Sequence, residues 1–363
     1  MKNRSSRFKQ STAVYKDNAI YYSISCSPGQ GKTAWNFNME QTVGELMYSI
    51  TTLLEHKKTS DFDFDISIFY DNSAFLQANV RGRNLHNFVS ECINKHEIAI
   101  RLIPFDSRNE DNMSHKWSNL ALMSARHKKV LYVDTDVYFL KDSYNLFKPL
   151  LENPEKAIAI QVQPWAWGGP PKPQNITYRY FKEKLGWTDE QVAKTLQADR
   201  DKQWHTNGTY AGHALFNTEL LPNFSQLYKQ HFTAFTEFAG TPAEKDGYFL
   251  IETTKDKWCW TGANPCEELS FHLAVCVLPE HTVHKYDWHD IFAGSVPRDY
   301  DSRTDTLTPI PHTPDTCWLK QQGFIMHHTM RKYSSMYFPE EFSPDGHWFS
   351  NAKKSKCEYC SVV

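Results

Sequence analysis

The sequence lacks the features that would place it at once in a membrane or nucleic-acid-binding class. No apolar run approaches the roughly 20 residues of a membrane-spanning helix, and residues 1–17 are polar and basic, without the apolar core of a secretory signal. The formal net charge is only −2, so the chain has no strong positive field to attract nucleic acid. We therefore expect a cytoplasmic protein with no membrane span and no nucleic-acid partner.

Cysteines are present, but they form no recognisable framework. The eight cysteines are scattered along the chain, which predicts free thiols in a reducing compartment. Cys357 and Cys360 form one Cys-x-x-Cys pair. Because no second pair lies near it, we interpret this pair as incidental rather than as a zinc site.

One apolar stretch ends in two acidic residues. Val130 to Val133 are β-branched, aliphatic or aromatic, which is typical of a strand buried on both faces of a parallel sheet. Asp134 and Asp136 follow it, with Thr135 between them. If the strand ends at Asp134, both carboxylates lie at the carboxyl edge of the sheet, where open α/β sheets bind their ligands. Mg²⁺ or Mn²⁺ with a phosphorylated substrate would offset their charge.

The segments before this stretch alternate between strand and helix patterns. Such alternation predicts an α/β fold with a doubly wound, mostly parallel sheet and right-handed crossovers. The predicted strands are 19–25, 64–70, 98–105 and 128–134, and the predicted helices are 40–56, 84–94 and 116–125. We divide the chain into a flexible N-terminus 1–17, a first half 18–150, a second half 151–345 with an insertion 163–205, and a tail 346–363.

The loop after the first strand invites comparison with a phosphate-binding loop. Residues 26–33 end in Gly-Lys-Thr, but Cys26 stands where that motif needs glycine. Pro28 also removes a donor amide from the loop. We therefore reject a nucleoside-triphosphatase loop at this position.

Later stretches offer further candidates for a ligand site. A Pro- and Gly-rich loop carries Trp165 and Trp167, whose flat faces suit a sugar ring but could equally pin the loop to the body. Glu267 and Glu268 follow a predicted helix start, where acids are also favoured by the helix dipole. An apolar triplet at 324–326 runs into His327. The polar region 278–314 is predicted to be a solvated loop, and its histidines are not expected to form a metal site.

Three of these patterns together resemble the GT-A-fold glycosyltransferases that use nucleotide sugars. They are the strand before Asp134, the Asn-Gly and Phe-Asn pairs that flank the stretch 207–217, and the strand ending in His327. The version most like them is glycosyltransferase family 8, which includes glycogenin and galactosyltransferases. The resemblance implies a GT-A fold that transfers a sugar from a nucleotide-diphosphate donor, by family habit a UDP-sugar, to a glycan or protein hydroxyl.

The resemblance also implies roles for individual residues. Residues 18–150 would bind the nucleotide sugar and residues 151–345 the acceptor. Asp134, Asp136 and His327 would hold Mn²⁺ or Mg²⁺, with Asp136 the stronger ligand, and Asp134 would also contact the ribose or the sugar of the donor. Lys116 would face the donor phosphates, although a solvated helix lysine fits that position as well. The family's Gly and Lys-Pro-Trp after the histidine are absent, so Arg331 and Lys332 would supply that phosphate contact. The other candidates are Ser25, Ser27, Asp71 and Thr135 for the donor, Trp165, Trp167 and His213 for the acceptor, and Glu267, Glu268 and Asn217 for catalysis.

Two other functions remain open at this stage. A haloacid-dehalogenase-like phosphatase would use Asp134 as nucleophile and Asp136 as general acid, but Tyr138 stands where that motif carries Thr or Val. A catalytically inactive sugar-binding module would bind glycans but would not turn over a nucleotide sugar. Glu267 and Glu268 differ from the Asp-Gln type of pair in family 8, so retention is only slightly favoured over inversion.

Overall fold

The computed structural model describes most of the first half of the chain and separate parts of the second. For Glu267, Glu268 and His327 it describes the backbone only. The predictions for Ser27, Trp165, Trp167, Arg331 and Lys332 lie outside the described residues. The described ranges are 15–25, 39–57, 61–80, 82–106, 115–139, 141–162, 176–191, 209–239, 243–245, 248–253, 256–261, 265–286, 291–293, 300–301, 306–307 and 325–327.

Strands and helices alternate up to the acidic stretch, as the sequence predicts. In chain order the elements are β1 (Asn18–Ile24), α1 (Met39–Lys57), β2 (Asp65–Tyr70), α2 (Ala74–Gln77), β3 (Asn79–Val80), β4 (Arg83–Asn84), α3 (Leu85–His96), β5 (Ile100–Pro104), α4 (His115–Ser124), β6 (Lys129–Val133), β7 (Val137–Phe139), α5 (Tyr144–Glu152), β8 (Ile158–Val162), α6 (Ile176–Glu183), β9 (Thr209–Asn217), α7 (Phe224–Ala239), β10 (Ala243–Lys245), β11 (Tyr248–Thr253), β12 (Asp256–Thr261), α8 (Pro265–Cys276), β13 (Val283–Tyr286), β14 (Ile291–Ala293), β15 (Tyr300–Asp301), β16 (Thr306–Leu307) and β17 (Ile325–His327). None of the helices in the described ranges combines the length and hydropathy needed to cross a bilayer.

Seven strands form the central sheet in the order β13-β8-β9-β6-β1-β2-β5. β1 is parallel to both β2 and β6, and β2 is parallel to β5. β9 runs antiparallel between β6 and β8. The predicted fold class, an α/β fold with a mostly parallel sheet, is therefore confirmed.

Each face of the sheet is covered by its own hydrophobic core. Alternate residues of β1 point to opposite faces, so Ile20 and Tyr22 join one core while Ala19 and Tyr21 join the other. Helices α1, α3 and α5 contribute to the first core. Helices α4, α7 and α8 contribute to the second, where the ring of Trp117 stacks on that of Phe271 at 4.4 Å between centroids.

The prediction of a solvated loop over 278–314 is wrong where β13, β14, β15 and β16 form, most clearly for β13. β13 pairs in parallel with β8 and forms an edge of the central sheet. Val283 and Tyr286 are buried there, and His284 is half-buried. Burial lowers the pKa of His284. A four-residue strand with two polar residues gives too weak a period-2 pattern to be recognised from sequence.

A buried histidine on α8 predicts loss of stability in acid. Burial lowers the pKa of His272 to about 3, whereas an unfolded histidine titrates near 6.5. Between those values the unfolded chain binds a proton that the folded chain does not, so stability falls as the pH falls below 6.5. This histidine alone should cost about 2 kcal/mol between pH 7 and pH 5.

The measurement is urea denaturation of wild type and His272→Gln at both pH values. The variant should lose less stability between pH 7 and pH 5 than wild type does, whatever its absolute stability. Equal losses in the two proteins would contradict the assignment.

Candidate active site

The two acids lie in a tight turn at the carboxyl end of β6. The amide of Asp134 donates to the carbonyl of Gly212 in β9 at 2.8 Å, which holds the start of the turn against the sheet. The amide of Val137 donates back to the carbonyl of Asp134 at 3.2 Å. Asp136 is only 2% exposed, whereas the side chain of Asp134 is 15% exposed. The sequence therefore places two carboxylates at the sheet edge that the fold class predicts for ligands.

Asp134 is held by a hydroxyl and a cation. The Tyr132 hydroxyl donates to its Oδ1, and Lys116 Nζ lies 3.9 Å from the same atom. Tyr132 is buried in the sheet, and so is Tyr21, which interacts electrostatically with the same carboxylate. Burial, with a smaller contribution from Asp134, raises the pKa of Tyr21 well above its ordinary value, so this tyrosine stays protonated.

Lys116 is a buried residue, not a solvated one. It is 2% exposed, and its Nζ donates to the carbonyl of Ala211 at 3.2 Å. The rings of Trp117 and Tyr132 lie 5.3 and 5.5 Å from Nζ, within range for cation–π attraction. These contacts make Lys116 a counter-ion of Asp134. Its contact with a donor phosphate stays a prediction.

The strand that ends in His327 lies beside the acidic turn. β17 is antiparallel to β7, with Ile325 opposite Phe139 and His327 opposite Val137. Val137 directly follows Asp136, so the backbone of His327 is next to that of the second acid. Residues 190 positions apart in the chain are thus neighbours across one strand pair.

A second polar group lies at the carboxyl ends of β1 and β2. Ser25 Oγ donates to Asp71 Oδ2, which joins two predicted donor contacts. Sequence reasoning missed the group beside them. Asn119 Nδ2 donates to Ser23 Oγ at 2.9 Å, and the same Oγ is hydrogen-bonded to His115 Nδ1 at 2.7 Å. Ser23 lies two residues before Ser25 and is 9% exposed.

Thr135 contacts an acid that sequence analysis also missed. Its Oγ1 lies 3.5 Å from Oε2 of Glu45 on α1. Both residues are buried, Glu45 with 1% exposure and Thr135 with 7%. The side chain of Thr135 therefore faces α1, and its role as a donor contact stays a prediction.

Asn217 lies at the end of β9 away from the acidic turn. β9 is antiparallel to β6, so His213 lies opposite Val133 while Asn217 lies opposite Lys129, at the amino end of β6. Four residues of strand separate the two positions, roughly 13 Å. The Asn217 amide donates to the carbonyls of Pro154 and Lys156, which ties β9 to the segment before β8, and its catalytic role stays a prediction. His213, fully buried next to the acidic turn, stays a candidate.

The two glutamates lie in the first turn of a helix. α8 begins at Pro265, which places Glu267 and Glu268 where acids interact favourably with the helix dipole. The predicted helix start is therefore confirmed. Their catalytic role stays a prediction.

The candidate metal ligands come from two places, the acidic turn after β6 and the end of β17. Among the residues whose side chains are described, no three His, Cys, Asp or Glu side chains are grouped in a way that could hold an ion. Asp134 and Asp136 supply carboxylates at the sheet edge, and a third protein ligand would come from β17, where only the backbone of His327 is described. Carboxylate with imidazole is a donor set that suits Mn²⁺ better than Mg²⁺.

An open cleft of about 720 Å³ lies between α4 and α7. It is lined by polar residues that include Ser118, Asn223 and Lys229. None of the predicted site residues whose side chains the structure describes lines it. We therefore do not place the substrate there.

Comparison with known proteins gives matches among solved structures only. No family model matches the sequence, and no curated protein matches it. Mouse xyloside xylosyltransferase 1 is similar over 86% of this chain and 98% of its own, with 10% identity and a TM-score of 0.44. The galactosyltransferase LgtC is similar over 95% and 100%, with 12% identity and a TM-score of 0.44. The glycosyltransferase GlyE of Streptococcus pneumoniae is similar over 96% and 62%, with 13% identity and a TM-score of 0.43. Each of these three solved structures is a glycosyltransferase.

Proposed function

We propose that this protein is a metal-dependent glycosyltransferase that moves a sugar from a nucleoside-diphosphate sugar to a hydroxyl of a glycan or protein. The observation that carries the proposal is the register of β17 on β7, which sets His327 opposite Val137 and beside Asp136. This register brings the backbone of a histidine late in the chain, at the end of an apolar strand, next to the acidic turn.

Asp134, Asp136 and His327 would hold Mn²⁺, or less favourably Mg²⁺. The chemistry supplied by such a cation is neutralisation of the diphosphate and of the charge that develops on the departing nucleotide. Two carboxylates at the carboxyl edge of parallel strands favour a phosphorylated ligand with a divalent cation over a neutral one. The ion pair with Lys116 holds the carboxylate of Asp134 in place.

The donor nucleoside would lie over the ends of β1 and β2. Ser25 and Asp71 meet there, and both can exchange hydrogen bonds with ribose hydroxyls or a base. A uridine nucleotide is the donor that we propose, on the family resemblance. Arg331, Lys332 and Ser27 are proposed as further donor contacts, with Trp165, Trp167 and His213 on the acceptor side and Glu267 or Glu268 acting at the reacting sugar.

A thermal-shift screen of nucleotide sugars with and without Mn²⁺ tests this function. A donor present at a hundred times its dissociation constant should stabilise the folded protein by about 2.7 kcal/mol, and only in the presence of the metal. UDP-sugars should give the largest shift in melting temperature. UDP alone should also shift it, since the diphosphate carries the metal contact.

Two results would overturn the proposal. Stabilisation by glycans, without any response to nucleotides, would indicate a sugar-binding module. Release of inorganic phosphate from a simple phosphoester without a nucleotide sugar would indicate the phosphatase.

A further inference from the structure

A line of polar side chains runs along the buried side of α1. Glu45, Ser49 and Thr52 are spaced by four and three residues, which puts them on one face of the helix. Their exposures are 1%, 0% and 2%. Buried polar groups are costly unless they are hydrogen-bonded, so this face is expected to serve a specific partner. We call these three residues the α1 polar stripe.

Ser49 binds the backbone of β7. Its hydroxyl donates to the carbonyl of Val137. The Tyr22 hydroxyl lies 3.0 Å from Ser49 Oγ. Since the single proton of Ser49 goes to Val137, Tyr22 is the donor in that second bond. The serine is thereby fixed between β1 and β7.

Thr52 binds the same strand two residues further along. Its Oγ1 accepts from the amide of Phe139 at 3.1 Å and donates to the carbonyl of Ser49 at 2.8 Å. Ser49 and Thr52 thus satisfy one carbonyl and one amide of a three-residue strand.

The hydrogen bonds of Ser49 and Thr52 take the place of a second neighbouring strand on β7. In the described part of the chain β7 is an edge strand, with β17 as its partner in the sheet order β14-β17-β7. Unpaired backbone groups on such an edge need other partners when they are buried. The α1 polar stripe supplies them, and the rings of Tyr48 and Tyr138 add an edge-to-face contact at 4.7 Å between centroids.

The third member of the stripe reaches the acidic turn itself. Glu45 Oε2 lies 3.5 Å from the hydroxyl of Thr135, between the two acids. The stripe therefore contacts the segment before Asp136 and the segment after it. Because β7 in turn sets the register of β17, anything that holds β7 also sets where His327 lies.

We infer that Ser49 and Thr52 are positioning residues, which hold β7 so that Asp136 and His327 meet at one ion. This inference rests on the proposed function for its link to a metal, but not for its structural half. The stripe touches the backbone of β7 rather than substrate, so its effect on binding acts through Asp136 and His327.

The test is Thr52→Val, which keeps the shape of the side chain and removes the acceptor for the Phe139 amide. Its matched control is Thr51→Val, because the Thr51 hydroxyl donates within the helix, to the carbonyl of Met47 at 2.8 Å. Thr52→Ser restores the hydroxyl. Measurements on the full chain are amide hydrogen exchange of β7 and the dissociation constant for Mn²⁺ itself.

The Phe139 amide should exchange faster in Thr52→Val than in Thr51→Val. The Mn²⁺ dissociation constant of Thr52→Val should rise about tenfold, which is typical when a residue that orients a metal ligand is lost. Thr52→Ser should return both values towards wild type. Equal behaviour of the two valine variants in both measurements would overturn the inference. If wild type binds no Mn²⁺, the proposed function fails, while the exchange comparison still decides whether α1 holds β7.

Discussion

Asp136→Asn is expected to reduce metal-dependent sugar transfer by about a thousandfold. The substitution is nearly isosteric and removes the charge of a carboxylate that is 2% exposed. Loss of metal-based stabilisation of the departing nucleotide is worth several kcal/mol, and each 1.4 kcal/mol is about tenfold in rate. The folded protein should be no less stable, because a buried charge without its cation is costly.

The measurements are turnover of the donor found in the thermal-shift screen, Mn²⁺ affinity, and urea denaturation. Asp142→Asn is the matched control, since Asp142 lies beyond β7 and binds the amide of Tyr144, which asparagine can also do. Unchanged turnover in Asp136→Asn would exclude the proposed ligand role. A loss of equal size in both variants would point to general damage instead.

Lys116→Met is expected to lower the free energy of unfolding by about 3 kcal/mol. Methionine fills much of the same volume, but it leaves Asp134 without the cation that lies 3.9 Å from it. Breaking a buried ion pair on one side is more costly than replacing both partners, because a desolvated charge remains. The carbonyl of Ala211 also loses its donor.

Urea denaturation at pH 7 measures this change. The control is Lys128→Met. Both Lys128 and its partner Asp17 are exposed, so no measurable loss is expected there. The double variant Lys116→Met with Asp134→Asn should recover part of the lost stability. A stable Lys116→Met protein would show that the lysine is not the counter-ion of Asp134.

Patterns local in the chain were predicted well. The strand before Asp134 is an apolar run, and apolar runs of that length are buried whichever fold surrounds them. Alternation of strand and helix likewise predicted the parallel part of the sheet, because a right-handed crossover leaves few other arrangements. The carboxyl edge, and with it Asp134, Asp136, Ser25 and Asp71, follows from that order alone.

The sequence was less informative about the direction of strands and about which polar residues of a helix are buried. The distance of Asn217 from the acidic turn was not predicted, because nothing in residues 209–217 shows that β9 runs antiparallel to β6. Glu45, Ser49 and Thr52 were missed because polar residues at helical spacing usually face solvent. Lys116 fits a solvated helix equally well on sequence, and its burial depends on Trp117, Tyr132 and the backbone of β9.

The sequence by itself determined the alternating α/β order and the two acids at the end of a buried strand, because both follow from hydrophobic periodicity along neighbouring residues. Only the tertiary structure decided that His327 lies beside Asp136, that Lys116 neutralises Asp134, and that α1 binds the edge of β7. Each of these depends on contacts between residues far apart in the chain, and such contacts are fixed by strand register and packing rather than by any local pattern.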